Sequence, residues 1–367
     1  MKTYKDLYYP MLSEANRIDA YKKAVKGKKN KKRIKRYIQN EEQTIIDMYD
    51  WIENYKSIHH TPFTINDGIT RKKREIIVPN FKELAVQHCV INVLKPLFMK
   101  GMYEHSYASV PNRGVHKGKK TLEKWIKHDK KNCKYVFKCD IHHFFQSIDH
   151  DILKSKLNKK IKDKQMLDLL YKIIDTTETG LPIGFYTSQW FSNFYLMDFD
   201  HFVKEKLKAQ HYIRYMDDIV ILGSNKKKLH KMKEDIINYL DQELNLKLKN
   251  NYQIFRFDYV KNKKHYGRDI DFMGFRFFRN KTILRKSILH KAMSKAHKIY
   301  KKEKPTIYDC QQFISYMSWI DSTDTYNFYL NYIKPFVNYK QCKRRISRYE
   351  RRIQKESRNT GETTFNG

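Results

Sequence analysis

No two cysteines of this chain stand in a Cys-x-x-Cys pair. Cys89, Cys133, Cys139, Cys310 and Cys342 are scattered singly over 367 residues, which supports neither a zinc ribbon nor a disulfide framework and points to a reducing compartment. No run approaches the roughly 18 apolar residues of a membrane span. The first residues, Met1-Lys2-Thr3-Tyr4-Lys5-Asp6, lack the apolar centre of a secretory leader, so a soluble, cytoplasmic protein with no membrane partner is expected. Internal repeats are absent too. Negative charge is scarce: 40 Asp+Glu stand against 75 Lys+Arg, a formal net charge of +35. Self-repulsion of that size is tolerated most easily beside a polyanion, and the 14% of aromatic residues are of the type that stacks on bases. A lysine-rich proteome would explain the lysines but not their pairing with aromatics, so nucleic acid is the first expected partner. With 40% hydrophobic residues the chain can bury a core, as two or three subdomains.

Residues 1–60 show helical spacing of apolar positions (Leu7, Met11, Ile38, Ile45, Ile46, Met48, Trp51, Ile52) around the basic run Lys28-Lys29-Asn30-Lys31-Lys32-Arg33-Ile34-Lys35-Arg36. That run is a phosphate-binding arm or a solvated helix face. From 61 to 79 the texture is strand and turn, with Asn66-Asp67-Gly68 as a hairpin signal and Arg71-Lys72-Lys73-Arg74-Glu75-Ile76-Ile77-Val78 running to Pro79. Basic residues on such a hairpin can reach a triphosphate. Phe81 to Phe98 fits a buried helix, and Pro111-Asn112-Arg113-Gly114 a turn in which Arg113 either caps the surface or touches phosphate or template. Tyr135 to Ile141 reads as a short strand ending in a carboxylate, Asp140. His142-His143 invites a zinc reading, but no further ligands fall at zinc spacing, so packing or hydrogen bonding is favoured. Residues 149–176 read as helical, and Gly180-Leu181-Pro182-Ile183-Gly184 as a loop before a helix opened by Thr187-Ser188-Gln189. Glycine there lets the backbone approach a ligand, or the segment is an ordinary helix start.

Tyr215-Met216-Asp217-Asp218, set between Tyr212-Ile213 and Ile219-Val220-Ile221-Leu222, reads as a hairpin with acid at its tip. Adjacent carboxylates in an apolar context repel unless a cation offsets them, although Asp is also a common turn residue. An amphipathic helix follows over 226–244, then strands at Leu246-Lys247-Leu248, Tyr252 to Phe257 and Asp271 to Phe278, and helices from about 285 to 352. Three carboxylates brought together by a sheet could bind two Mg²⁺ ions about 3.5–4 Å apart, the arrangement for nucleotidyl transfer.

In order and content these segments resemble the reverse transcriptase family: Asp140 with Phe144-Phe145 its first palm motif, Gly180 to Gln189 its second, Tyr215-Met216-Asp217-Asp218 its third, and Asp271-Phe272-Met273-Gly274-Phe275 its primer grip. The resemblance implies an α+β right-hand polymerase. Its expected parts are a basic helical N-terminal extension (1–60), fingers (61–134), a palm of antiparallel strands (135–280, with a helical fingers insertion around 149–179), a helical thumb (281–352) and a flexible tail (353–367). It implies an RNA-directed DNA polymerase that takes RNA template, DNA or RNA primer and dNTPs, with Mg²⁺, or Mn²⁺ in its place, as cofactor. Asp140, Asp217 and Asp218 are the implied catalytic and metal residues, with Asp140 and Asp217 the main ligands. Phe145 is the implied steric gate against a ribose 2′-hydroxyl. Lys72, Arg74 and Arg113 are implied at triphosphate or template, Arg74 foremost, and Ile183, Gly184 and Gln189 at the nucleotide. Where many relatives have Gln-Gly followed by Ser-Pro, Ile183-Gly184 and Ser188-Gln189 stand here, similar to diversity-generating retroelement and several defence-associated groups. Where group II intron relatives carry a Lys-Thr pair, Tyr252-Gln253 stands here, leaving Lys249 as a substitute general acid. A retroelement or a phage-defence system, with a structured noncoding RNA or an accessory protein, is the implied setting. The rival expectations are a DNA-templated or template-independent polymerase and a noncatalytic RNA-binding scaffold.

Overall fold

A computed structural model of the chain describes residues 3–28, 31–58, 60–67 and 72–359. Lys29 and Asn30 of the basic run, Gly68 of the hairpin signal, Arg71 and 360–367 of the tail lie outside the described residues. The chain divides into two compact units, Met1–Val115 with Lys131–Ile254, and His116–Lys130 with Phe255–Gly367.

In the first unit the helical spacing of residues 1–60 produces α1 (Tyr8–Leu12), α2 (Glu14–Val25), α3 (Lys32–Gln39) and α4 (Glu41–Glu53). Their apolar positions, among them Met11, Ala20, Tyr21, Met48 and Ile52, are buried in one core. Between these helices and α5 lies an antiparallel hairpin of β1 (Phe63–Asp67) and β2 (Lys72–Ile76), with Ile65 opposite Arg74 and Asp67 opposite Lys72. The helix α5 (Phe81–Gly101) opens with a reciprocal cap: Asn80 accepts from the Glu83 N–H, and the Glu83 carboxylate accepts from the Asn80 N–H. Packing of α1, α2 and α4 on α5 makes this helix the axle of the N-terminal half. The next helix, α6 (Val115–His128), falls almost wholly in the second unit.

The apolar strand before Asp140 is β3 (Tyr135–Asp140), followed by a 3₁₀ turn (Phe144–Ser147). The expected helical stretch over 149–176 is two helices, α7 (His150–Lys160) and α8 (Lys164–Ile174). Asp149 and Asp163 cap their first turns, and the break between them pairs with Tyr4, whose N–H donates to Lys160 O and whose carbonyl accepts from Lys162. Then come α9 (Tyr186–Tyr195), α10 (Met197–His201), β4 (His211–Tyr215), β5 (Asp218–Gly223), α11 (Lys226–Leu244) and β6 (Gln253–Arg256). The sheet order is β4-β5-β3-β6, and β3 and β4 both run antiparallel to β5. Leu229, Met232, Ile236, Leu240 and Leu244 of α11 are buried, as its amphipathic pattern requires. The strand expected at 246–248 is not formed: Leu248 makes a single bridge to Ile141, because β3 ends there and the chain turns away.

The second unit contains the hairpin of β7 (Tyr259–Lys261) and β8 (Lys264–Tyr266), and a three-stranded antiparallel sheet of β9 (Ile270–Phe272), β10 (Phe275–Phe277) and β11 (Thr282–Leu284). The run Asp271 to Phe278, expected as one strand, is a tight hairpin because Met273 and Gly274 take positive φ of 52° and 86°. Phe275 stacks on Trp319 with ring centroids 5.1 Å apart. Helices α12 (Lys286–Tyr300), α13 (Ile307–Asp321), α14 (Tyr326–Tyr332) and α15 (Tyr339–Asn359) complete the unit, as the helical reading of 285–352 expects.

One feature of the sheet has no counterpart in the strand reading above. Arg214, in the middle of β4, is wholly buried and forks onto Asp200 of α10, with Nε to Oδ1 at 2.7 Å and Nη2 to Oδ2 at 2.6 Å. Tyr212 Oη donates to the same carboxylate at 2.5 Å. The remaining guanidinium nitrogen donates to Asn193 Oδ1 at 3.1 Å and to the carbonyl of Met216 at 3.0 Å. Bidentate pairing satisfies both buried charges, and that is the condition under which such a pair is tolerated. Arg214→Met strands the Asp200 carboxylate without its partner. It is expected to cost about 3–5 kcal/mol of folding stability, read as a lowered midpoint in denaturant titration; an unchanged midpoint would show the pair to be dispensable.

Candidate active site

Strand pairing brings the acids together. Asp140, the last residue of β3, is the direct cross-strand partner of Asp218, the first of β5. Directly opposed residues of an antiparallel pair share a face, and like charges so placed destabilise the pair. Asp217 occupies the turn between β4 and β5, where its carbonyl accepts the Ile141 N–H at 3.2 Å. The turn is sharp because Met216 adopts a left-handed φ of 57°. A non-glycine residue is disfavoured there and needs outside support. Arg214 supplies it through the Met216 carbonyl, and Ser192 Oγ lies 3.3 Å from the Met216 sulfur.

Burial first, and the Asp140 charge next, raise the pKa of Asp217 above the ordinary carboxylate value, while its own N–H, Lys249 and Arg74 pull the other way. Lys249 is placed for this: its ammonium pairs with Asp140 Oδ1, and its N–H donates to the Asp140 carbonyl at 2.9 Å. Lys138, two residues before Asp140 on the same strand face, stands 4.0 Å from Asp218 Oδ1. Cations thus gather around three carboxylates that would otherwise repel. Carboxylate oxygens are donors that suit a hard divalent cation. Among the described residues no group of three or more His, Cys, Asp or Glu side chains is placed to hold a metal ion. His142 and His143 are exposed and pack edge to face with centroids 4.1 Å apart, in keeping with packing rather than zinc.

The other candidate residues lie in the same unit as the acids. Phe145 is half-buried in the 3₁₀ turn, and its carbonyl accepts the Leu181 N–H at 2.7 Å. Gly180, at φ 66°, lies so close to Gln146 that a Cβ would meet its backbone at 2.5 Å. Farther along the loop, the carbonyl of the half-buried Ile183 accepts the Ile77 N–H at 2.9 Å, and Gly184, at φ 119°, leaves no room for a Cβ against the Ile77 carbonyl. The loop is therefore clamped between the Phe145 turn and the strand exit of the β1–β2 hairpin. Arg74 on that hairpin is exposed, and its charge reaches Asp217. Lys72 begins β2 opposite Asp67. Gln189 is exposed on α9, its carbonyl accepting from Ser192 Oγ and Asn193 Nδ2. Arg113 Nη1 donates to the carbonyls of Tyr103 and Ser106 in its own loop. The Asp200–Arg214 brace is the functional element missing from the sequence reading; a charged residue at the centre of an apolar strand was its signal.

Residues 64–277 match the family described as reverse transcriptase (RNA-dependent DNA polymerase). The retron Ec73 reverse transcriptase of Escherichia coli is 29% identical over 205 residues, 51% of this chain and 62% of that protein. The group II intron-encoded protein LtrA of Lactococcus lactis subsp. cremoris is 29% identical over 144 residues, 36% of this chain and 23% of that protein. The chain thus spans less than two thirds of the length of these curated relatives. A solved structure of telomerase from Candida tropicalis with the TWJ fragment of telomeric RNA is 14% identical, with a TM-score of 0.49 over 87% of this chain and 58% of that one. Among the described residues no helix is long and apolar enough to cross a membrane.

The raised pKa of Asp217 fixes the sign of a stability experiment. A carboxyl whose folded pKa lies above its unfolded value favours folding at acid pH, and that contribution is lost as pH rises through the folded pKa. In chelator at neutral pH, Asp217→Asn is therefore expected to melt above the wild type, with the difference closing in acid; Mg²⁺ should raise the melting temperature of the wild type alone. A variant melting at or below the wild type in chelator would contradict the crowding of charge described here.

Proposed function

The chain belongs to the reverse transcriptase (RNA-dependent DNA polymerase) family, and from that premise we propose that it copies RNA into DNA by nucleotidyl transfer from dNTPs onto a DNA or RNA primer. The observation that carries this reading is the juxtaposition of Asp140, Asp217 and Asp218 by antiparallel pairing of β3, β4 and β5, with Lys249 and Arg74 offsetting their charge. Family members use divalent metal ions; Asp140 and Asp217 are the residues proposed to hold two Mg²⁺, with Asp218 in support and Mn²⁺ as a substitute. When bound, such ions lower the pKa of an attacking 3′-hydroxyl and stabilise the departing pyrophosphate.

The protein's own groups do the rest. Arg74, with Lys72 beside it on β2, reaches toward the triphosphate, where a guanidinium can grip phosphate oxygens in pairs. The Phe145 ring acts as a steric gate beneath the sugar. The Ile183-Gly184 backbone, tied to Ile77, carries the surface on which the nucleotide lies, and Gln189 faces the same region from α9. The Lys249 ammonium, held beside Asp140, is the proton donor of choice for the leaving pyrophosphate. Arg113, whose Nη1 also holds its own loop, is proposed at the triphosphate or template through its other guanidinium nitrogens. The palm, fingers, thumb and N-terminal extension are proposed over the boundaries given above, with α6 assigned to the second unit. The biological setting proposed is a bacterial retroelement or a phage-defence system working with a structured noncoding RNA or an accessory protein; sequencing the nucleic acid that copurifies with the protein separates the two.

Extension of a labelled primer on RNA, on DNA and without template is the direct test. Wild type is expected to incorporate dNTPs on RNA in Mg²⁺, and Asp217→Asn to lose that activity while retaining RNA binding. Full incorporation by the variant would refute the active-site assignment, and parallel loss of RNA binding would favour a scaffold. Phe145→Ala is expected to admit ribonucleotides that the wild type rejects, read from alkali-labile products. Ile183 offers no hydrogen bond to a neighbouring base, so misincorporation is expected to fall in Ile183→Gln; identical error spectra would refute relaxed discrimination at this position.

A further inference from the structure

None of the roles proposed above falls on the β7–β8 hairpin of the second unit. In its register Tyr259 stands opposite Tyr266 and Lys261 opposite Lys264, with Val260 and His265 paired between them. Opposed residues share a face and side chains alternate along a strand, so the two tyrosines and the two lysines lie on one face, and Val260 with His265 on the other. Like charges set directly opposite each other destabilise a hairpin. Lys263 adds a third cation at the tip, where it and Asn262 take left-handed φ of 60° and 51°. Asparagine is at home in such a turn, whereas lysine stands where glycine is usual. All three lysines are exposed, and among the described residues none of them pairs with a carboxylate. The acid at the foot of the hairpin, Asp258, is buried and accepts the Arg279 N–H at 2.8 Å, with His265 Nδ1 3.5 Å from its other oxygen. Three cations gathered at one tip without carboxylates complement a polyanion.

The rings narrow the partner to one with flat faces. Tyr259 and Tyr266 stack with centroids 5.6 Å apart and planes 25° from parallel, and the Arg256 guanidinium lies over Tyr259, 4.9 Å from its centroid. Tyr259 is half-buried and Tyr266 is 44% exposed, so Tyr266 is the open ring. Each lysine lies two residues along its strand from a tyrosine, about 7 Å, so a base on Tyr266 sets its backbone beside the ammonium groups. Aromatic rings that stack bases beside cations that track phosphates are the usual means of holding an unpaired strand. The platform is also fixed at its foot. The Asp258 N–H donates to the Arg268 carbonyl and the Arg268 N–H to the Arg256 carbonyl, both at 3.0 Å, and Gly267, at φ 80°, sits where a Cβ would meet the Phe257 carbonyl at 2.6 Å. A preformed face costs a ligand less to engage. RNA is the nucleic acid that displays unpaired bases in loops and bulges, whereas DNA made on a template is paired as it forms.

We propose that the Tyr259–Tyr266 face of this hairpin binds an unpaired base of a structured RNA, the base on Tyr266 and its neighbouring phosphates on Lys261 and Lys264. It adds to the polymerase reading an RNA site built from residues of the second unit alone, and it does not require the chain to polymerise.

The test is fluorescence anisotropy with the full chain, without dNTPs, on a labelled RNA stem-loop and on a blunt RNA duplex of equal length. Wild type is expected to bind the stem-loop more tightly. In Tyr266→Ala the stem-loop should bind roughly 5-fold or more weakly, with the duplex unaffected, and Tyr266→Phe, which keeps the ring, should retain wild-type affinity. In Lys261→Gln/Lys264→Gln the salt slope on the stem-loop should fall by about 1.4, the value for two phosphate contacts on a single strand. A 5-iodouridine in the loop should photocrosslink to Tyr266. Equal weakening on stem-loop and duplex would reduce the face to general electrostatics, and unchanged binding in Tyr266→Ala and in the lysine double variant would remove RNA from it. Loss in Tyr266→Phe as large as in Tyr266→Ala would contradict stacking. A Tyr266→Ala effect confined to single-stranded DNA of the loop sequence would give the face to a product strand and overturn the proposal. Because binding is read without turnover, failure of the polymerase reading shows separately, as absent dNTP incorporation by a wild type that still distinguishes stem-loop from duplex.

Discussion

The geometry of the acid site depends on one buried ion pair. Arg214 and Asp200 are both removed from water, and each would be intolerable there alone. Together they leave one guanidinium nitrogen with a directed task, a hydrogen bond to the carbonyl of Met216. That bond holds a non-glycine residue in the left-handed region, where the backbone would otherwise resist staying. The two acids after Met216 follow from the turn: Asp217 at its tip, and Asp218 as the first residue of β5, in register with Asp140.

A second constraint grows from the first. Once the turn is fixed, three carboxylates share the end of a sheet whose interior is apolar, and their repulsion must be met by positive charge. Lys249 on Asp140, Lys138 near Asp218 and the field of Arg74 at Asp217 supply part of it. None of these cations is locked in a dry interior, so each can yield when a stronger positive charge arrives. The wall built from Phe145, Gly180 to Gly184 and Ile77 is stiffer, because it is joined by backbone hydrogen bonds and by two glycines that admit no side chain.

Much of this was legible in the residues. Adjacent carboxylates flanked by Ile, Val and Leu runs announce a constrained turn, while the register that sets Asp140 opposite Asp218 shows only in the pairing of β3 with β5. The helices of both ends follow from apolar spacing and from caps such as Asn80 and Asp163. What stayed hidden depends on tertiary contact. Arg214 meets Asp200 across 14 residues and two elements, and Lys249 meets Asp140 across 109; no local pattern encodes either pairing. The bonds from Arg113 to the Tyr103 and Ser106 carbonyls, too, depend on how the loop folds. The strand expected at 246–248 reduced to one bridge because its partner strand ends at Asp140. Asp271 to Phe278 folded back on itself because Met273 and Gly274 both accept positive φ.

The central claim is that the braced turn sets Asp217 against Asp140 as a site for a divalent cation, with Lys249 holding the charge balance. Anomalous diffraction from a crystal of the protein soaked in Mn²⁺ tests it most directly. The expected result is a manganese peak within coordinating distance of both the Asp140 and Asp217 carboxylates, with the Lys249 ammonium moved off Asp140. Absence of a peak there at saturating Mn²⁺, with Lys249 still paired to Asp140, would contradict it.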